Sequence, residues 1–186
     1  VATELEQRWY AFSVAKATKF TAAMVMDDTA DFDLYVYKLN ETDGTLELVG
    51  GSAIVGAGTQ ELSMLKLDEG IYFIGIEAAT GNGSFLMYTY AGVNDGKEIN
   101  DTTDLASSYV RNSRMTATID SPFDYDYYKV VISKNDILEY TFDQPTGCDY
   151  KVLVYDGKNY YTINNGTYRL NTGTYYFIVM ASSMNY

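Results

Sequence analysis

With 186 residues and 47% hydrophobic content, the chain has material for a core in one domain or two. A formal net charge of −12 and a pI near 4.2 argue against a phosphate-gripping basic face and against anionic membranes, so no nucleic-acid partner is expected. Histidine is absent, which removes Ser-His-Asp and Cys-His catalysis and His-ligated zinc, and the single cysteine, Cys148, has no internal disulfide partner.

In chain order, short runs rich in β-branched and aromatic residues recur between Gly, Asn and Asp clusters. They predict strands at Trp9–Val14, Phe20–Met26, Phe32–Lys38, Leu46–Val49, Glu61–Leu67, Ile71–Ala78 and Phe85–Tyr90. The second half predicts Tyr127–Ser133, Ile137–Phe142, Tyr150–Tyr155, Tyr160–Ile163, Thr167–Leu170 and Thr174–Met180. In the first of these, Tyr128, Val130 and Ile132 share one face while Tyr127, Lys129 and Val131 share the other. No long 3.6-residue period competes; Asp101–Val110 has room for a helical turn or two, with Thr102 or Thr103 as cap. No apolar run reaches the roughly 18 residues needed to span a bilayer, so no membrane insertion is expected. No leader pattern is read, and Val1 is not an initiator, so the chain is expected to begin downstream of one.

The halves repeat. Arg8-Trp-Tyr-Ala-Phe-Ser-Val14 lies over Asp126-Tyr-Tyr-Lys-Val-Val-Ile132, and Asp31-Phe-Asp-Leu-Tyr-Val-Tyr37 over Asp149-Tyr-Lys-Val-Leu-Val-Tyr155, both at a spacing of 118 residues. Leu67-Asp-Glu-Gly-Ile-Tyr-Phe-Ile74 lies over Leu170-Asn-Thr-Gly-Thr-Tyr-Tyr-Phe177 at a spacing of 103. The second copy is therefore 15 residues shorter, in the region matching Asn40–Gly58, where turns absorb length changes at little cost. The expected fold is all-β: two tandem antiparallel, jelly-roll-like β-sandwich domains, 1–92 and 93–186, joined near Gly92–Lys97. The second copy carries an acidic lead-in, 96–122, for which the first shows no counterpart.

Two clusters carry candidate chemistry. Glu98, Asn100 and Asp101 bring three oxygen-bearing side chains within four residues, and Asp124 and Asp126, two apart on a strand start, share a face. If the lead-in folds back on that strand, five oxygen donors converge, which suits Ca²⁺. The plainer reading is that Asn100 and Asp101 cap a turn beside a solvated rim. Copy one has Glu6 and Arg8 at the places of Asp124 and Asp126, so it is expected to lack the ion site. Asp27, Asp28, Asp31 and Asp33 form a second acidic group, read as a turn and strand edge before a cation site.

The 19 tyrosines are the other candidate. Tyr35 and Tyr37 fall on the face opposite Phe32, Leu34 and Val36, and copy two offers Tyr127, Tyr155, Tyr160, Tyr161 and Tyr176. Such residues either grip a ligand or pair across strands to hold the sheet. Four sequons occur, at Asn40, Asn82, Asn100 and Asn165; Asn82 and Asn165 read as hairpin turns. Thr102-Thr103 and Ser107-Ser108 have no activating partner in motif spacing, so no enzyme is expected.

With Glu98-Ile-Asn-Asp-Thr102, Asp124–Lys129, Asp31–Tyr37, Asp149–Tyr155 and Leu170–Val179 aligned, the chain resembles the bacterial pre-peptidase C-terminal domain family, relatives of the collagen-binding domains of clostridial collagenases. Lys151 departs from the acidic D-x-D of that pattern. The resemblance implies a secreted or cell-surface bacterial protein with a non-catalytic accessory or adhesion role. It further implies Ca²⁺ at the lead-in, rigidifying the second repeat, and a tyrosine-bearing sheet face that binds a fibrous matrix protein or a polysaccharide. The alternative is a structural spacer or fibre-forming repeat whose faces pack on neighbouring repeats.

Overall fold

The computed structural model describes residues 6–92 and 96–183. The chain falls into two compact units, Val1–Asn94 and Asp95–Tyr186. The junction expected at Gly92–Lys97 lies partly outside the described residues.

The first unit holds seven strands: β1 (Gln7–Val14), β2 (Thr18–Met26), β3 (Ala30–Leu39), β4 (Leu46–Ser52), β5 (Gln60–Leu67), β6 (Gly70–Gly81) and β7 (Phe85–Gly92). One sheet runs β1-β6-β3-β4 and the other β5-β2-β7, all antiparallel. Alternation aims Phe32, Leu34 and Val36 of β3, Ile74 and Ile76 of β6, and Phe20, Ala22 and Met24 of β2 into one shared core. Two sheets contributing to a single apolar cluster make a β-sandwich. Phe12 stacks on Phe20 at a centroid distance of 4.6 Å and closes the β1 side of that core.

The second unit holds β8 (Ser107–Ser108), β9 (Tyr125–Ile132), β10 (Asp136–Tyr140), β11 (Tyr150–Tyr155), β12 (Tyr160–Thr162), β13 (Gly166–Leu170) and β14 (Gly173–Ala181). Its sheets are β12-β11-β14-β9-β8 and β10-β13. Tyr128, Val130 and Ile132 of β9, Val152 and Val154 of β11 and Phe177 of β14 form its core, with Tyr140 and Tyr168 from the smaller sheet against it.

Strand order and register match between the units. The order β1-β6-β3-β4 corresponds to β9-β14-β11-β12. Trp9 pairs with Gly75 as Tyr127 pairs with Ile178, and Tyr35 with Gly75 as Leu153 with Ile178. Thr18 pairs with Leu67 as Asp136 with Leu170. Each match preserves the spacings of 118 and 103 residues read in the sequence.

The expected helical turn in Asp101–Val110 is not there: no helix occurs among the described residues. Residues 102–105 make a turn, with the Leu105 N–H 3.4 Å from Thr102 Oγ1, and the chain then extends into β8. Thr102 does cap, but the lead-in's bonding capacity goes to the neighbouring strand. β8 runs parallel to β9, and Tyr109 N–H donates to Lys129 C=O at 2.9 Å.

Candidate functional site

The lead-in folds back onto the start of β9. Tyr127 N–H donates to the Asn100 carbonyl at 2.8 Å, and Tyr125 N–H lies 3.5 Å from Asp101 Oδ1. These contacts lay Glu98–Asp101 beside Asp124 and Asp126, which a tight turn presents: Asp124 Oδ2 accepts from Asp120 N–H at 2.6 Å, and Asp124 N–H donates to Ser121 C=O at 3.1 Å.

All five predicted ligands are buried, with Asn100 and Asp124 at 0% exposure. Glu98, Asp124 and Asp126 each offer a carboxylate oxygen, and these atoms lie within 4.8 Å of one another. Three carboxylates that close, shielded from water, repel strongly unless a positive charge or protons intervene. Such an all-oxygen triad can hold a metal ion.

Asn100 sits in the middle of the set. Its carboxamide oxygen lies 3.0 Å from Glu98 Oε2 and 3.0 Å from Asp126 Oδ1. Turned by half a rotation, the amide would present nitrogen there and donate a hydrogen bond to each carboxylate. Oxygen-inward suits a cage around a cation; nitrogen-inward suits the cage without one. Asp126 is further fixed by its Oδ2, which accepts from the Tyr128 hydroxyl at 2.7 Å. Asp101 stands beside the triad, its Oδ1 turned toward β9.

The second acidic group is dispersed. Asp27 Oδ2 accepts from Ser84 N–H at 2.7 Å, and those bonds hold its carboxyl below the ordinary carboxylate range. Asp31 is buried, accepts from Gly56 N–H at 3.1 Å, and is separated from its strand neighbours by a bulge at Asp31/Phe32. Asp33 accepts from the Tyr35 hydroxyl at 3.0 Å on the outer face.

The tyrosines fall into two patches, each on the outer face of its unit's larger sheet. In the first unit Trp9, Gly75, Tyr35 and Gly51 form one cross-strand row, with Tyr37 in the next. Trp9 and Tyr37 rings lie 5.4 Å apart, Tyr35 and Tyr37 rings 6.4 Å. Trp9, 45% exposed, lies over Gly75: a Cβ there would meet its ring at 3.1 Å. Sequence reasoning passed over Trp9, although it lies 118 residues before Tyr127 and has the matching register in the other unit. In the second unit Lys129, Tyr176, Tyr155 and Tyr160 form one row and Tyr127 lies in the next. Tyr155 and Tyr160 stack at 4.5 Å. Tyr161 pairs with the core residue Val154 and so faces the other way; its hydroxyl donates to Asp156 at 3.1 Å. Tyr176 completes the patch at 6.2 Å from Tyr155.

Asn100, at 0% exposure, is closed to glycosylation in the folded chain, whereas Asn40 and Asn82 are exposed. Compared with models of known families and with curated protein sequences, the chain matches none.

Proposed function

We propose that the chain is a non-catalytic extracellular binding module of a secreted or surface bacterial protein. In this reading it consists of two copies of one sandwich domain, 1–92 and 93–186. The outer faces bearing Trp9, Tyr35 and Tyr37, and Tyr127, Tyr155, Tyr160 and Tyr176, are the contact surfaces for a fibrous protein or a polysaccharide. The observation that carries this reading is the recurrence of half-exposed aromatic rings on the same outer face at matching positions in both units. Flat rings on a rigid sheet offer contact area at little conformational cost. The resemblance to the pre-peptidase C-terminal family supports the same reading.

Calcium is the cation proposed for Glu98, Asn100, Asp124 and Asp126. Oxygen-only donors, three of them carboxylates, match its preference, and the Asn100 amide, when turned oxygen-inward, would supply a fourth. Binding there would fasten the lead-in to β9 and rigidify the second unit. Affinity on the order of 10⁻⁴ to 10⁻³ M fits extracellular modules. Calorimetric titration of the full chain should show one Ca²⁺ site, lost in Asp126→Asn. Heat unchanged by that substitution would place the ion elsewhere.

For the surface, retention on collagen and on insoluble glycans is compared between variants. Tyr160→Ala should weaken retention, and Tyr161→Ala, on the opposite face, should leave it intact. Equal loss in both would remove the outer face from the mechanism. A structural spacer is the rival reading, favoured by the close Tyr155–Tyr160 stack and by Trp9 covering Gly75. Concentration-dependent assembly in light scattering, without retention on either matrix, would decide for it.

A further inference from the structure

The outer face of the first unit's larger sheet carries an acidic pair with no balancing charge. Asp33 of β3 and Glu77 of β6 are direct cross-strand partners, in the row beside Trp9, Gly75 and Tyr35. Like charges set opposite each other weaken a sheet. The Tyr35 hydroxyl donates to Asp33 Oδ2 at 3.0 Å, and Gln7 Nε2 donates to Glu77 Oε2 at 3.3 Å. Both donors are neutral, and among the described residues no cationic side chain forms an ion pair with either carboxylate.

Glu77 is one wall of a small aromatic cleft around Gly75, whose other walls are Gln7, Trp9, Tyr35 and Tyr37. Asp33 is hydrogen-bonded to one of those walls. The cleft has room of about 10 Å³, roughly one water molecule or one ammonium group. Burial first, then Asp33, and then Glu77 and Tyr37 push the Tyr35 phenol up to about 12, so both acids act on the same aromatic group. Ring faces attract a cation through their quadrupole, and carboxylates beside them add the opposite charge.

The second unit supplies the contrast. Lys151 pairs with Met180, and Met180 with Tyr125, as Asp33 pairs with Glu77 and Glu77 with Gln7. Lys151 and Met180 therefore stand where the first unit has its two acids, and Lys129 stands where it has Ala11. That face is aromatic but cationic, and it would repel what the first face attracts. It also stays open beside its own lead-in, since Lys151 is exposed and Tyr160 is 58% exposed.

We propose that the cleft binds a lysine ammonium of a partner polypeptide, held against the Trp9 and Tyr37 rings with its charge met by Glu77 and Asp33. This inference rests on the reading of the outer aromatic faces as contact surfaces. It names the chemistry that the first of them takes: a basic, lysine-bearing protein strand, and not a neutral glycan.

The probes are two acetylated and amidated peptides of equal length, one alternating Gly and Lys, the other Gly and Gln, added to the full chain. Trp9 is the chain's one tryptophan, so its emission and its indole NMR signal report on the cleft directly. The lysine peptide should shift both with a Kd below about 1 mM, and the glutamine peptide should bind about fivefold more weakly or worse. Asp33→Asn and Glu77→Gln should each weaken the lysine peptide by about fivefold or more. Glu139→Gln, the same loss of charge at an exposed residue of the second unit, should leave it unchanged. Equal weakening by Glu139→Gln would mean general attraction to an acidic chain and would overturn the proposal. Equal binding of both peptides, lost in Tyr37→Leu but kept in Asp33→Asn, would also overturn it while leaving the face a contact surface. No response to the lysine peptide at about 1 mM overturns it as well, and retention on collagen and on glycans then judges the outer-face reading by itself. Should one acid substitution fail to fold, the other decides.

Discussion

Tyr35 shows how a single outer-face residue combines packing with electrostatics. Burial in the aromatic patch, and then its hydrogen bond to Asp33, push its phenol up to about 12. A raised pKa in the folded state means the neutral phenol is favoured there. Its contribution is complete below the unfolded value near 10 and is lost as pH rises from about 10 through about 12. In an alkaline titration followed by phenolate absorbance, wild type should retain one more protonated tyrosine at pH ~11 than Tyr35→Phe does. Asp33→Asn should bring the Tyr35 titration down only part of the way, because burial is the larger cause. A Tyr35 titrating with the exposed tyrosines would show the patch to be open. The alternation of β3 made Tyr35 and Tyr37 legible as a pair. Gly75, which lets Trp9 lie down beside them, carries no signal of its own until the register is known.

At the scale of elements, all thirteen strands read from the sequence are present, with ends shifted by a residue or a few, because each alternates or carries a β-branched and aromatic run between turn residues. β8 was not legible. Ser107 and Ser108 have no apolar alternation, and they extend only because the residues before them are tied to β9 by Asn100 and Asp101. Of the cation cage, the sequence disclosed the donors and the face shared by Asp124 and Asp126. It did not disclose that Asn100 would lie between the carboxylates. The loop after β4 was equally hidden. Buried Glu61, from the β5 sheet, accepts from Ile54 N–H at 3.0 Å, and buried Asp31, from the β3 sheet, accepts from Gly56 N–H. One carboxylate from each layer thus pins residues 54–56. Glu61→Ala should leave Ile54 N–H without its acceptor and cost about 1–3 kcal/mol, read as a lower urea midpoint with faster hydrogen exchange at residues 54–56. An unchanged midpoint would mean the loop is held by Thr59 instead, whose hydroxyl bonds the Ile54 and Gly56 carbonyls.

At the scale of the whole chain, the same order of four strands in the larger sheet serves two units that differ in the charges at the start of β1 and of β9. The second unit has the carboxylate cage; the first has Glu6 and Arg8 in its place. A ligand that binds only the folded form of one unit stabilises that unit and leaves the other alone. With Ca²⁺ at about 10 mM and a Kd of about 0.1–1 mM, the second unit should gain roughly 1.4–2.7 kcal/mol. The chain carries its own reporter for the contrast, since its one tryptophan, Trp9, belongs to the first unit. Thermal unfolding followed by Trp9 emission should keep its midpoint when Ca²⁺ is added. The calorimetric transition of the second unit should move up by several degrees, a typical response to ~1–3 kcal/mol in a domain under 100 residues. Asp126→Asn should cancel that rise and leave Trp9 unaffected. A Trp9 midpoint that climbs in step with the calorimetric one would show that the two units unfold as one, and that the cage stabilises more of the chain than the unit that contains it.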